Sequence, residues 1–226
     1  MLLHPDRLLP ADPGTRRIAR DLLEAVEHLP IISPHGHTDP RWWGENPAFD
    51  NPAELFVIPD HYVVRMLVSQ GVPFEALGIG DGAEKDPRAI WRIFARHYPL
   101  FRGTPSRLWL DHAFCEVFGL EERLNEANAD RHYDAIAERL TEAAYRPRAL
   151  YDRFGLEVIA TTDGALDDLA QHEAARLSGW TGRVIPTYRP DDVIDPDTKT
   201  FRSNIERLGE LTGCDIGSWS GYLDAH

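Results

Sequence analysis

Apolar residues recur along this chain with two different periods. Over residues 13–29, Ile18, Leu22, Leu23, Val26 and Leu29 fall at three- and four-residue steps, which predicts a helix with one apolar face. Directly after it, Leu29-Pro30-Ile31-Ile32-Ser33 is short, apolar and β-branched and stops at Pro34. That run predicts a buried strand ending near His35. Two similar runs come much later, one from Leu156 to Thr162 ending at Asp163, the other from Arg183 to Tyr188 ending at Arg189. Residues 165–177 between them carry a helical pattern. Strand, helix and strand within about 35 residues make a βαβ unit, which requires a parallel sheet.

The long stretch between the first and second strands has almost no strand signal. Helical patterns at 61–70, 87–97, 106–117, 121–128 and 130–144 are punctuated by glycine and proline. It is too long for a plain crossover and reads as a helical insertion, with a further helix over 203–213. The pattern divides the chain into an N-terminal helix and first strand (1–40), the helical insertion (41–150) and βαβ units (151–226). Only three parallel strands are visible. An eight-stranded barrel would need about five more units of roughly 30 residues, so the arithmetic points to a truncated chain.

Composition narrows the function more than the fold. With 24 Lys plus Arg against 37 Asp plus Glu, the formal net charge is −13. That balance argues against a nucleic-acid backbone or an anionic membrane surface as partner, while leaving room for an anionic small molecule held by local charge. No apolar run reaches the roughly 18 residues of a membrane span, and the first residues lack a secretory pattern. A cytoplasmic protein is expected. Cys115 and Cys214 stand alone, which excludes a cysteine-rich zinc module. P-loop, GxGxxG, GxSxG and HExxH patterns are missing.

The candidate chemistry lies where strands end. His35-Gly36-His37 puts two imidazoles at i and i+2, a spacing that turns both to one side of an extended segment and lets them share one metal ion. Chance alone gives about 0.4 such tripeptides at this histidine content, so its place after an apolar strand carries the weight. Asp60 is a plausible helix N-cap for a segment that begins with His61 and Tyr62, a tunable proton carrier and a phenol donor. Asp163 and Arg189 each close a strand. A carboxylate and a guanidinium there suit substrate binding, although Asp163 also fits a helix cap and Arg189 a partner of Asp191. Trp42, Trp43, Trp91 and Trp109 read as packing residues. His97, His112, His132 and His172 read as partly exposed helix-surface residues.

A strand ending in HxH resembles the metal-binding signature of the amidohydrolase superfamily. LPIISPHGHTDP (29–40), DHYVVRMLVSQGV (60–72), VIATTD (158–163) and VIPTYRPD (184–191), in that order, resemble the uronate isomerase family over nearly the whole chain. Pro34 departs from the acidic or aromatic residue that the family commonly has before its HxH.

The resemblance implies an α/β fold: the first three strands of a partial (β/α)8 TIM barrel, with the helical insertion after strand 1. It implies an aldose–ketose isomerase that interconverts glucuronate with fructuronate and galacturonate with tagaturonate. His35 and His37 would ligate a divalent metal, zinc first among the candidates. His61 and Tyr62 would handle protons and face the sugar acid, and Arg189 would hold its carboxylate. The family's chain is about twice as long and brings a further Asp ligand beyond this sequence. The site here is therefore expected to be incomplete and the part by itself inactive. The partners implied are a small-molecule uronate and, as an open matter, a second copy of the chain. A metal-dependent hydrolase of the same superfamily and an inactive helical module are the alternatives.

Overall fold

The computed structural model describes residues 3–226. In chain order the elements are α1 (Pro13–Val26), β1 (Ile31–Ser33), α2 (Arg41–Gly44), α3 (Pro52–Phe56), α4 (His61–Val68), α5 (Pro87–His97), α6 (Pro105–His112) and α7 (Ala129–Leu140). They continue as α8 (Pro147–Arg153), β2 (Leu156–Gly164), α9 (Ala170–Leu177), β3 (Val184–Arg189), α10 (Asp191–Ile194), α11 (Phe201–Thr212) and α12 (Trp219–Ala225). The three expected strands are present and form one parallel sheet in the order β1-β2-β3. Where a helix was expected over 121–128, there is only a single tight turn at Glu126–Asn128. No helix among the described residues is long and apolar enough to cross a membrane.

The chain divides into two compact units, and the division is not the linear one the pattern suggested. Among the described residues, those up to 29 together with 48–146 form one unit, and residues 30–47 and 147–226 form the other. The N-terminal helix therefore groups with the insertion rather than with the strand that follows it.

The first unit is helical. Trp91, Phe94, Tyr98, Phe101 and Phe114 are fully buried, with ring centroids 5.3–5.9 Å apart along the cluster. Trp91 ties α5 to α7 through an indole N–H donated to the Ala129 carbonyl at 2.9 Å. Proline at the first turn and a capping Asp86 start α5. Beneath it, Tyr98 donates to Asp111 at 2.9 Å, and the Arg107 guanidinium both pairs with Asp111 at 2.9 Å and lies 3.8 Å from the Tyr98 ring centre. α1 buries none of its residues, so the apolar face read from its spacing is exposed.

The second unit is built on the sheet. β2 is its centre, and Val158, Ile159, Ala160, Thr161 and Asp163 are all buried. β1 corrects an expectation. It is an edge strand with Ile31 and Ile32 at 50% and 62% exposure, not a buried one, and its register shifts between those two residues. β3, on the other side, is also largely exposed. Trp43, Tyr151, Ile159 and Ala175 form the core cluster, with Trp180 stacked on Trp43 at 6.0 Å. Trp43 and Trp91 pack as expected, whereas Trp109 is 63% exposed.

Candidate functional site

Parallel strands bring their C-terminal ends to one edge of the sheet, and the second unit collects its polar candidates there. His35 and His37 lie just beyond β1. Their Nε2 atoms stand 3.0 Å apart, with the rings nearly perpendicular at 83°. Two nitrogens each about 2.1 Å from one ion are separated by roughly 3.0–3.4 Å for angles between right and tetrahedral. The pair therefore has a spacing that one divalent ion fits, and imidazole nitrogens are donors that such ions take. Among the described residues no group of three or more His, Cys, Asp or Glu side chains gathers as a metal cluster.

The loop that carries the histidines is held from β2. Thr162 donates its hydroxyl to the Gly36 carbonyl at 2.7 Å. A side chain at position 36 would place its Cβ 3.1 Å from the Ala160 carbonyl oxygen, so glycine permits the close approach. Further along, the Trp43 indole donates to Thr38 at 3.0 Å. Asp39 takes the Arg41 guanidinium at 2.6 Å, and that bond holds its carboxyl below the usual range.

Arg189 ends β3 at the same edge. The register pairs Thr162 with Thr187 and Gly164 with Arg189, so alternation puts Thr162, Thr187 and Arg189 on one face of the sheet. The Arg189 side chain is 43% exposed, and its Nε lies 3.7 Å from an Asp191 carboxylate that is itself 77% exposed. The contact is long and wet, which leaves the guanidinium able to take another carboxylate.

Asp163 occupies a different place. It falls on the opposite face of β2 with Thr161 and is 4% exposed. Thr161 donates to its Oδ2 at 2.6 Å, and His172 of α9 comes within 3.7 Å of Oδ1 and 2.7 Å of the Thr161 hydroxyl. Asp163 is thus part of the seam between sheet and α9 and does not share a face with Arg189. Nor does it cap α9, whose N-cap is Leu169 in the left-handed region.

His172 was expected at the surface, yet its side chain is 10% exposed. The clues were a threonine inside an apolar strand and a histidine three residues before buried Ala175, on the same helix face. Asp39, Asp163, Asp168, His172 and Arg207 are among the residues around a cleft of about 490 Å³.

His61 and Tyr62 belong to the first unit. Asp60 caps α4 by accepting from the Tyr62 and Val63 backbone N–H groups at 2.8 and 3.2 Å. Val63 and Val64 of the first turn are buried, while His61 and Tyr62 are exposed, Tyr62 at 55% with its ring 4.1 Å from that of His61. The Arg65 guanidinium lies 5.7 Å from the Tyr62 ring centre.

A family model described as glucuronate isomerase matches residues 14–226. The chain belongs to that family. It is 58% identical to a uronate isomerase of Mesorhizobium japonicum over 229 residues, covering all of this chain and 49% of the relative. A uronate isomerase of Rhizorhabdus wittichii is 59% identical over 223 residues, covering 99% of this chain and 47% of the relative. In structure it resembles a glucuronate isomerase from Caulobacter crescentus with a TM-score of 0.94 at 50% identity, covering 99% of this chain and 47% of that one. A uronate isomerase from Thermotoga maritima gives a TM-score of 0.88 at 27% identity, covering 100% of this chain and 48% of that one. The chain spans about half the length of the uronate isomerases it matches.

Proposed function

We propose that this chain carries the metal-ligating and carboxylate-binding part of an aldose–ketose isomerase acting on D-glucuronate and D-galacturonate in the cytoplasm. The observation that carries this reading is the His35–His37 pair, at the edge of the sheet where Arg189 ends β3, in a chain of the glucuronate isomerase family. On this reading the three parallel strands are the first of a (β/α)8 barrel of the amidohydrolase type. Their C-terminal edge is where such barrels hold their sites.

In the reaction the C2–H proton leaves, an enediol forms, and a proton is added at C1. The C1 carbonyl becomes a hydroxyl while the C2 hydroxyl becomes the ketone. His35 and His37 would hold a divalent ion, zinc first among candidates, which when bound supplies polarisation of substrate oxygens. Arg189 grips the uronate carboxylate through its two-pronged fork, which orients the C1–C2 end. His61 and Tyr62, on the first unit, have the chemistry of a proton carrier and a phenol donor.

The test joins this chain to the second half of the Mesorhizobium japonicum relative, in place of that relative's own first half. The hybrid, incubated with D-glucuronate, is expected to form the 2-ketose by NMR, and His35→Ala with His37→Ala to abolish it. A folded, metal-loaded hybrid that forms no ketose from either uronate, or that instead cleaves esters or lactams, contradicts the proposal.

A further inference from the structure

We propose that Thr162 is a positioning residue for the His35–His37 pair: its hydroxyl, reaching from β2 to the Gly36 carbonyl, holds the loop so that the two imidazoles keep their close approach. The consequence for a bound ion rests on the metal reading of that pair.

β1 alone fixes the loop poorly. It has three residues, lies at the edge of the sheet, is exposed, and shifts register between Ile31 and Ile32. Gly36 is the residue between the two histidines, so anchoring its carbonyl fixes the peptide from which both side chains diverge. Thr162 makes that anchor at 2.7 Å across a separation of 126 positions. The loop also lies tight on the strand, since a Cβ at position 36 would meet the Ala160 carbonyl at 3.1 Å. That carbonyl belongs to a strand paired on both sides and has little room to give. Packing does not explain a threonine at 162, because valine has the same shape and suits a strand as well. The hydroxyl is what differs. Partners that orient metal-ligating histidines typically change affinity by about 10–100-fold when removed.

The experiment uses the 226-residue chain with ¹⁵N-labelled histidine, at a pH where both imidazoles are neutral. A 3.0 Å contact between two Nε2 atoms requires one ring to donate and the other to accept, so the two histidines should show opposite tautomers by NMR. Thr162→Val is expected to erase that contrast and to raise the zinc dissociation constant at least about tenfold, while Thr162→Ser stays within about twofold of the wild type. Gly36→Ala, which presses the loop off β2 from the other side, is expected to act like Thr162→Val and serves if that variant unfolds. Wild-type tautomers and wild-type zinc affinity in Thr162→Val or Gly36→Ala overturn the proposal. Loss of the tautomer contrast in Thr162→Val, with no zinc response in any variant, upholds the positioning role and overturns the metal reading instead.

Discussion

His132 shows how a single polar residue can be misplaced by its chemical type. It sits at 3% exposure on α7, and its Nδ1 is buried without a hydrogen-bond partner. Burial pushes its pKa below the ordinary value of 6.5, with the nearby Glu122 carboxylate only partly opposing this. The folded state therefore refuses a proton that the unfolded chain accepts. Stability is present in full above about pH 6.5 and is lost as the pH falls through that value toward the folded pKa. Urea unfolding at pH 7.5 and pH 5.5 should show a larger acid loss for the wild type than for His132→Leu; equal losses would mean that His132 is solvated. The position was legible in the spacing, since Ala129, His132, Tyr133, Ile136 and Leu140 form one stripe of buried residues. Reading histidine as a surface type hid it. Asp163 was read as a possible helix cap and His172 as a surface residue for a related reason. Thr161 partners both, with Asp163 buried and the His172 side chain 10% exposed, and a hydrogen bond between a strand and the following helix is not itself written in the spacing.

At the scale of elements, the pattern of apolar residues located all three strands and most helices, because short β-branched runs and three-to-four spacing reflect backbone geometry directly. It did not tell how deeply a strand is buried. Ile31-Ile32 is as apolar as Val158-Ile159, yet only the second pair is covered on both sides by neighbouring strands. What holds the covered strand is also not periodic. Tyr151 of α8 is 3% exposed, donates to the Glu157 carbonyl of β2 at 2.7 Å and accepts from the Arg183 N–H before β3 at 3.1 Å. Removing that hydroxyl takes a partner from a carbonyl of β2 and from the N–H just before β3. Tyr151→Phe should therefore cost about 1–3 kcal/mol in chemical denaturation, with the ring packing against Trp43 and Trp180 retained. A loss within error would show that water replaces the hydroxyl. Arg148 from the same helix caps α2 from outside, donating to the Trp43 and Gly44 carbonyls at 2.6–2.9 Å.

Over the whole molecule, two units share a chain that crosses between them more than once, which no linear division of the sequence expresses. The family, by contrast, was legible from four short segments, because each couples a strand end or helix start to residues with chemistry. On the proposed reading, in a chain of net charge −13 the guanidinium at the end of β3, paired only at 3.7 Å with exposed Asp191, is the cation that would take the carboxylate of a sugar acid. The most direct measurement is the KM for D-glucuronate, with the bound metal content, of the hybrid enzyme described above carrying Arg189 or Arg189→Lys. Loss of the two-pronged contact should raise KM roughly ten- to a hundredfold, or about 1.5–3 kcal/mol, with the metal content unchanged. Normal KM and turnover in the lysine variant would contradict the account, making Arg189 a surface partner of Asp191 and placing the carboxylate elsewhere.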